Sequence, residues 1–164
     1  MNKNRRSLLS SPEPGSEGEE EDKQLGSNYD DITFTDYTLG QEELEKIENV
    51  LEDDLIRSGV HSVLLIDMAG NIIAQRDNGA CDHDLYSLAA LASANFAAVD
   101  TMAKIVGEEE FSLLFHKGEN ENIHFSKVNV EFLLITIFGK KVSLGLLRLK
   151  VAEAVDKING VWKP

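Results

Sequence analysis

The densest group of reactive side chains is Cys81-Asp82-His83-Asp84, which places a thiol, an imidazole and two carboxylates in four consecutive positions. A transition-metal ion takes such groups, but its ligands come from segments that converge on it, and adjacent residues of one loop rarely do. No second ligand group is marked elsewhere, and the single cysteine excludes an intramolecular disulfide framework and a cysteine-based zinc site. Ser87, His83 and Asp84 assemble a serine–histidine–aspartate set on paper, without the strand–turn–helix elbow that exposes a nucleophile. His61, His116 and His124 lie in or beside strand-like runs, where packing or surface exposure accounts for them, and Glu108-Glu109-Glu110 is a solvated charge run. There is no G-x-x-x-x-G-K-[ST] and no G-x-G-x-x-G, so neither type of phosphate cradle is present. The residues argue for no catalytic site, no cofactor and no metal of the chain's own.

Around these residues the chain alternates helix and strand signals. Thr38 with Gln41 three residues on predicts a capping box, followed by Leu44, Ile47, Leu51 and Leu55 at helical spacing and by a stop at Gly59. Val63-Leu64-Leu65-Ile66 and Ile72-Ile73-Ala74-Gln75, joined by Met68-Ala69-Gly70-Asn71, predict a β-hairpin. Asp82 or Asp84 caps a long alanine-rich helix over 85–106, which Gly107 ends. Its Leu88, Leu91, Ala98, Met102 and Ile105 trace a stripe fit for a core. A second stripe, Ala90, Ala94, Ala97 and Thr101, is small enough to let another backbone approach closely. Three strands follow: 110–117 with Phe111, Leu113 and Phe115 on one face, then 123–127, then the most apolar run, 131–138, as sheet centre. Ser143 caps a closing helix that buries Leu144, Leu147, Val151, Ala154, Val155 and Ile158. The order α-β-β-α-β-β-β-α, with hairpin-linked neighbours, predicts an α+β fold on a five-stranded antiparallel sheet.

The chain has 164 residues and a formal net charge of -13, which repels phosphate backbones and anionic headgroups and so argues against nucleic acid or membrane as partner. No apolar run approaches the length of a membrane span, and no signal-peptide core follows the basic start, so a cytoplasmic protein is expected. Residues 1–36 hold two of the three prolines, four basic and nine acidic residues, and few large apolar groups. Such a composition does not offset the entropy of ordering, so 1–36 is expected to be a disordered acidic tail and 37–160 the folded domain. Across the end of the tail, Tyr29-Asp30-Asp31-Ile32-Thr33-Phe34-Thr35-Asp36-Tyr37 alternates aromatic and acidic groups, as a docking peptide would.

The element order and several segments together resemble the Roadblock / dynein light-chain superfamily, and within it the MglB-type bacterial polarity proteins. The segments are Ile66-Asp67-Met68-Ala69-Gly70-Asn71-Ile72-Ile73, Ser87-Leu88-Ala89-Ala90-Leu91, Asn95-Phe96-Ala97-Ala98, 103–111, Phe115-His116-Lys117-Gly118 and Ser143-Leu144-Gly145-Leu146-Leu147-Arg148-Leu149-Lys150. The resemblance implies helices on both faces of the sheet and a homodimer, in which the second helix packs on its copy and the next strand joins the two sheets edge to edge. It further implies a partner, a small Ras-like GTPase of the MglA type in its GTP form. Hydrolysis would be stimulated by repositioning the GTPase's own arginine and glutamine rather than by an arginine finger, with a role in polarity or motility. By position, the partner or dimer surface falls on Ala90, Ala94, Ala97, Thr101 and Lys104. Asp100 and Thr101 stand where the family has smaller, glycine-like residues.

Overall fold

Ile47, Leu51 and Leu55 repeat every four residues, and in an α-helix each such step drifts about 40° round the axis. A computed structural model, which describes residues 39–162, shows how the chain absorbs that drift. Helix α1 (Gln41–Val50) widens into a π-helical turn over Leu51–Leu55, where the Ile56 N–H reaches the Leu51 carbonyl, and then tightens into a 3₁₀ turn over Ile56–Ser58. The under-wound turn keeps Ile47, Leu51 and Leu55 on one line, all fully buried. Gly59 ends the helix at φ +104°. The expected capping box is not the start of α1: Gly40 is the N-cap, with no side-chain cap bond, and Thr38 lies outside the described residues. So does the tail over 1–36 with its 29–37 segment.

Five strands form one antiparallel sheet in the order β2-β1-β5-β4-β3: β1 (Ser62–Asp67), β2 (Ile72–Asp77), β3 (Leu114–Lys117), β4 (Glu121–Lys127) and β5 (Phe132–Gly139). The most apolar run is the centre, paired with β1 on one side and β4 on the other and buried throughout. Helices α2 (Leu85–Ile105) and α3 (Leu144–Val161) complete an α+β fold with helices on both faces. Period-two alternation sorts the side chains. Val63, Leu65, Leu134 and Phe138 join α1 and α3, where Leu147, Val151, Ala154 and Ile158 are buried. Leu64, Ile66, Leu133, Ile135 and Phe125 face α2. Lys157 reaches across to Asp54 at 2.7 Å and ties α3 to the π-helical turn.

The third strand is shorter than its alternation predicts. Leu114 pairs with Phe125, so Phe111 would have to oppose Val128, which already lies beyond the end of β4. The ladder nevertheless stops two residues short of the end of β4: residues 110–113 leave the sheet at Leu114, and Phe111 and Leu113 are exposed. That leaves Ser126 and Lys127 paired with β5 alone.

Candidate partner-binding face

Asp84 starts α2 by accepting the Ser87 N–H at 3.1 Å and the Ser87 hydroxyl at 2.5 Å. These bonds hold the Asp84 carboxyl below the usual carboxylate range, because they favour its charged form. Two of the three groups of the paper triad are thus spent on a helix cap, and His83 is exposed. The Cys81 thiol lies 3.7 Å from the His61 carbonyl, and among the described residues no three His, Cys, Asp or Glu side chains converge as metal ligands. His61 instead approaches the Glu121 carboxylate at 3.0 Å, and His124 is buried on β4.

The hairpin turn fixes how α2 lies. The Asp67 carboxylate accepts the backbone N–H groups of Ala69 and Asn71 and the Asn71 amide, at 2.7 to 2.9 Å. The turn it braces meets the helix directly: the Ser93 hydroxyl donates to the Met68 carbonyl, and Gly70 abuts the backbone of Ala89 and Ala90. Ala89, Ala92, Ser93 and Ala103 are therefore the buried side of α2, with Phe96 packed beside them. At the other border, the Asn95 amide lies 3.3 Å from the His116 ring of β3.

This placement corrects the expected core stripe. Leu88 is half-buried, but Ala98 is exposed, and Leu91, Met102 and Ile105 are 69%, 51% and 78% exposed. Apolar residues line almost the whole circumference of α2, so periodicity does not say which side meets the sheet. The hairpin turn does, by reaching the helix backbone at Ala89 and Ala90 and bonding Ser93, where small side chains allow the approach. Ala90, Ala94, Ala97, Thr101 and Lys104 are also exposed, beside the larger residues on the side of α2 away from the sheet. The Thr101 hydroxyl bonds back to the Ala97 carbonyl at 2.9 Å, and Lys104 is held by Asp100 at 2.6 Å. That contact keeps the Asp100 carboxyl low.

The result is an apolar outer face on α2, with β3 at an open edge of the same sheet. Of the ten large exposed apolar side chains among the described residues, seven lie between Tyr86 and Leu113, which sets this region apart from the remaining surface. Leu91, Met102 and Ile105 are the residues that sequence reasoning assigned elsewhere. Their signal was an excess of apolar groups on both sides of one helix. Among the described residues no helix is long and apolar enough to cross a membrane.

Comparison with known proteins places this architecture. A structure of the gliding protein MglB from Thermus thermophilus superposes with a TM-score of 0.69 at 28% identity, covering 75% of this chain and 93% of that one. MglB of Myxococcus xanthus matches with a TM-score of 0.63 at 29% identity, over 74% of this chain and 95% of its own. A structure of MglB in a tetrameric arrangement gives 0.70 at 29% identity, over 75% and 92%. Residues 46–138, from within α1 to the last residue but one of β5, match the Roadblock/LC7 domain, and with the five-stranded sheet between its helices this chain belongs to the Roadblock/LC7 domain family.

Proposed function

We propose that this protein is a homodimeric regulator, without an active site of its own, that binds a small Ras-like GTPase of the MglA type in its GTP form and stimulates GTP hydrolysis. The process served would be cell polarity or motility, in the cytoplasm, with residues 1–36 as an acidic tail to a domain over 37–160. The observation that carries the reading is the outward face of α2, where Leu91, Met102 and Ile105 lie exposed beside the small residues Ala90, Ala94 and Ala97. An apolar face of this kind marks a protein interface, and a stable dimer needs about 1,600 Å² in total. Similarity to MglB supports the choice of partner.

On this reading the large residues and the β3 edge serve self-association, and Ala90, Ala94, Ala97, Thr101 and Lys104 receive the GTPase. Arg57 and Arg76 are engaged by Asp53 and Glu48 at 2.9 and 2.6 Å, which suits a regulator that offers no arginine finger. A second reading is a non-catalytic scaffold that recruits a GTPase without changing turnover. It is favoured by the single charged group on the proposed contact strip, Lys104, being tied to Asp100. Single-turnover GTP hydrolysis by a candidate GTPase, with and without this protein, decides between the two. Acceleration supports the regulator. Binding at an unchanged rate leaves only the scaffold, and absence of binding overturns both.

A further inference from the structure

We propose that the pocket between α2, α3 and the open end of β4 binds a carboxylate carried on an aromatic ring. The early end of β3 creates the pocket, because Ser126 and Lys127 have no strand on their outer side. An open cleft of about 250 Å³ lies there, with Phe96 of α2, Phe125 of β4, Val151 of α3 and the departing Phe111 among its apolar walls. That volume falls below the roughly 300–1,000 Å³ of sites for drug-sized ligands, and it matches one ring with a short chain.

The polar end supplies the charge preference. Four charged side chains line the pocket: Asp100, Glu110, Lys127 and Arg148. Asp100 is neutralised by Lys104 at 2.6 Å, and Glu110 by Lys127 at 3.4 Å. Arg148 has no ion pair among the described residues, so the rim carries one uncompensated positive charge. His124 lies beside it, 5% exposed, with its ring Nδ1 lacking any hydrogen-bond partner. Burial and the Arg148 charge push its pKa down to about 4, so the imidazole is neutral and does not repel or pair on its own account. A carboxylate seated here forms a charge-assisted pair with the Arg148 guanidinium, and it accepts from the neighbouring imidazole in the tautomer whose N–H faces it. The ring that carries it would fill the phenylalanine-lined end.

Such a group could arrive on a free aromatic acid or on a partner's peptide, as an aromatic residue next to an aspartate. The test uses the full chain and NMR titration with 3-phenylpropionate, its neutral amide, and N-acetyl-Phe-Asp-amide. Phenylpropionate or the peptide should shift Phe96, Phe125 and His124 resonances, bind at least about fivefold more tightly than the neutral amide, and raise the His124 titration midpoint. Tighter binding of the free acid assigns a small-molecule ligand, and tighter binding of the peptide assigns a protein partner. Arg148→Gln, an exposed position outside the α2 face, should erase the preference for the charged ligand while the fold stays intact. Equal binding of acid and amide, a preference that survives Arg148→Gln, or no shift at 10 mM ligand overturns the assignment.

Discussion

Gly70 and Ala90 meet backbone to backbone. A Cβ built on Gly70 would lie 3.0 Å from the Ala90 Cα and 3.3 Å from the Ala89 carbonyl oxygen, and Gly70 also holds φ at +90°. The hairpin turn thereby sets how close α2 sits to the sheet, and with it which side of α2 faces outward.

Gly70→Val should therefore cost about 2–4 kcal/mol, combining backbone strain with a clash against helix backbone that does not yield. Gly79 is the control, because its φ is +76° but nothing lies within 4 Å of an added Cβ. Urea unfolding of Gly70→Val and Gly79→Val separates strain from contact. Equal losses for the two variants would show that the turn and α2 do not need to touch.

Self-association should depend on residues that do nothing for the isolated fold. Leu91→Glu and Met102→Lys each place a charge on a side chain that is already exposed, so the circular dichroism spectrum should be retained. Light scattering at tens of micromolar should report a dimer for the parent chain and a monomer for the double variant. A parent chain that is monomeric at that concentration removes the homodimer.

Ala97→Arg tests the proposed GTPase contact. It sets a long charged side chain on an exposed helix position, so folding should be untouched while stimulation of GTP hydrolysis is lost through lost binding. Arg57→Ala, Arg76→Ala and Arg148→Ala should each keep most of the stimulated rate. An arginine finger is worth roughly 10³–10⁵ in rate, so the loss of one would be plain in the same assay. A single arginine variant that binds the GTPase normally yet no longer accelerates it would overturn the proposed mechanism.

His124 should make stability depend on pH in a defined window. Its pKa is lowered from 6.5 to about 4, first by burial and then by the Arg148 charge. Between those values the unfolded chain binds a proton that the folded chain does not. Stability is thus complete above about pH 6.5 and falls as the pH drops toward 4, by up to about 3 kcal/mol. His124→Gln should flatten this part of the curve. Parallel curves for parent and variant between pH 6.5 and 4.5 would show that His124 is not held neutral by the fold.

Much of the architecture is written locally. Asp84 and Ser143 cap their helices because short polar side chains reach the free N–H groups of a first turn, and that geometry needs only neighbouring residues. The apolar continuity of residues 132–138 marks a strand buried on both faces, which is the sheet centre. The absence of a glycine-rich phosphate loop is likewise a property of the sequence alone. Three features needed the tertiary structure. The start of β3 at Leu114 is one, because the chain leaves the sheet edge there although β4, far along the chain, continues to Lys127. The π-helical turn depends on Leu51 and Leu55 having one sheet to face. The outward side of α2 depends on Gly70, because a helix with apolar and small residues on both sides has no preferred face until another backbone packs against one of them.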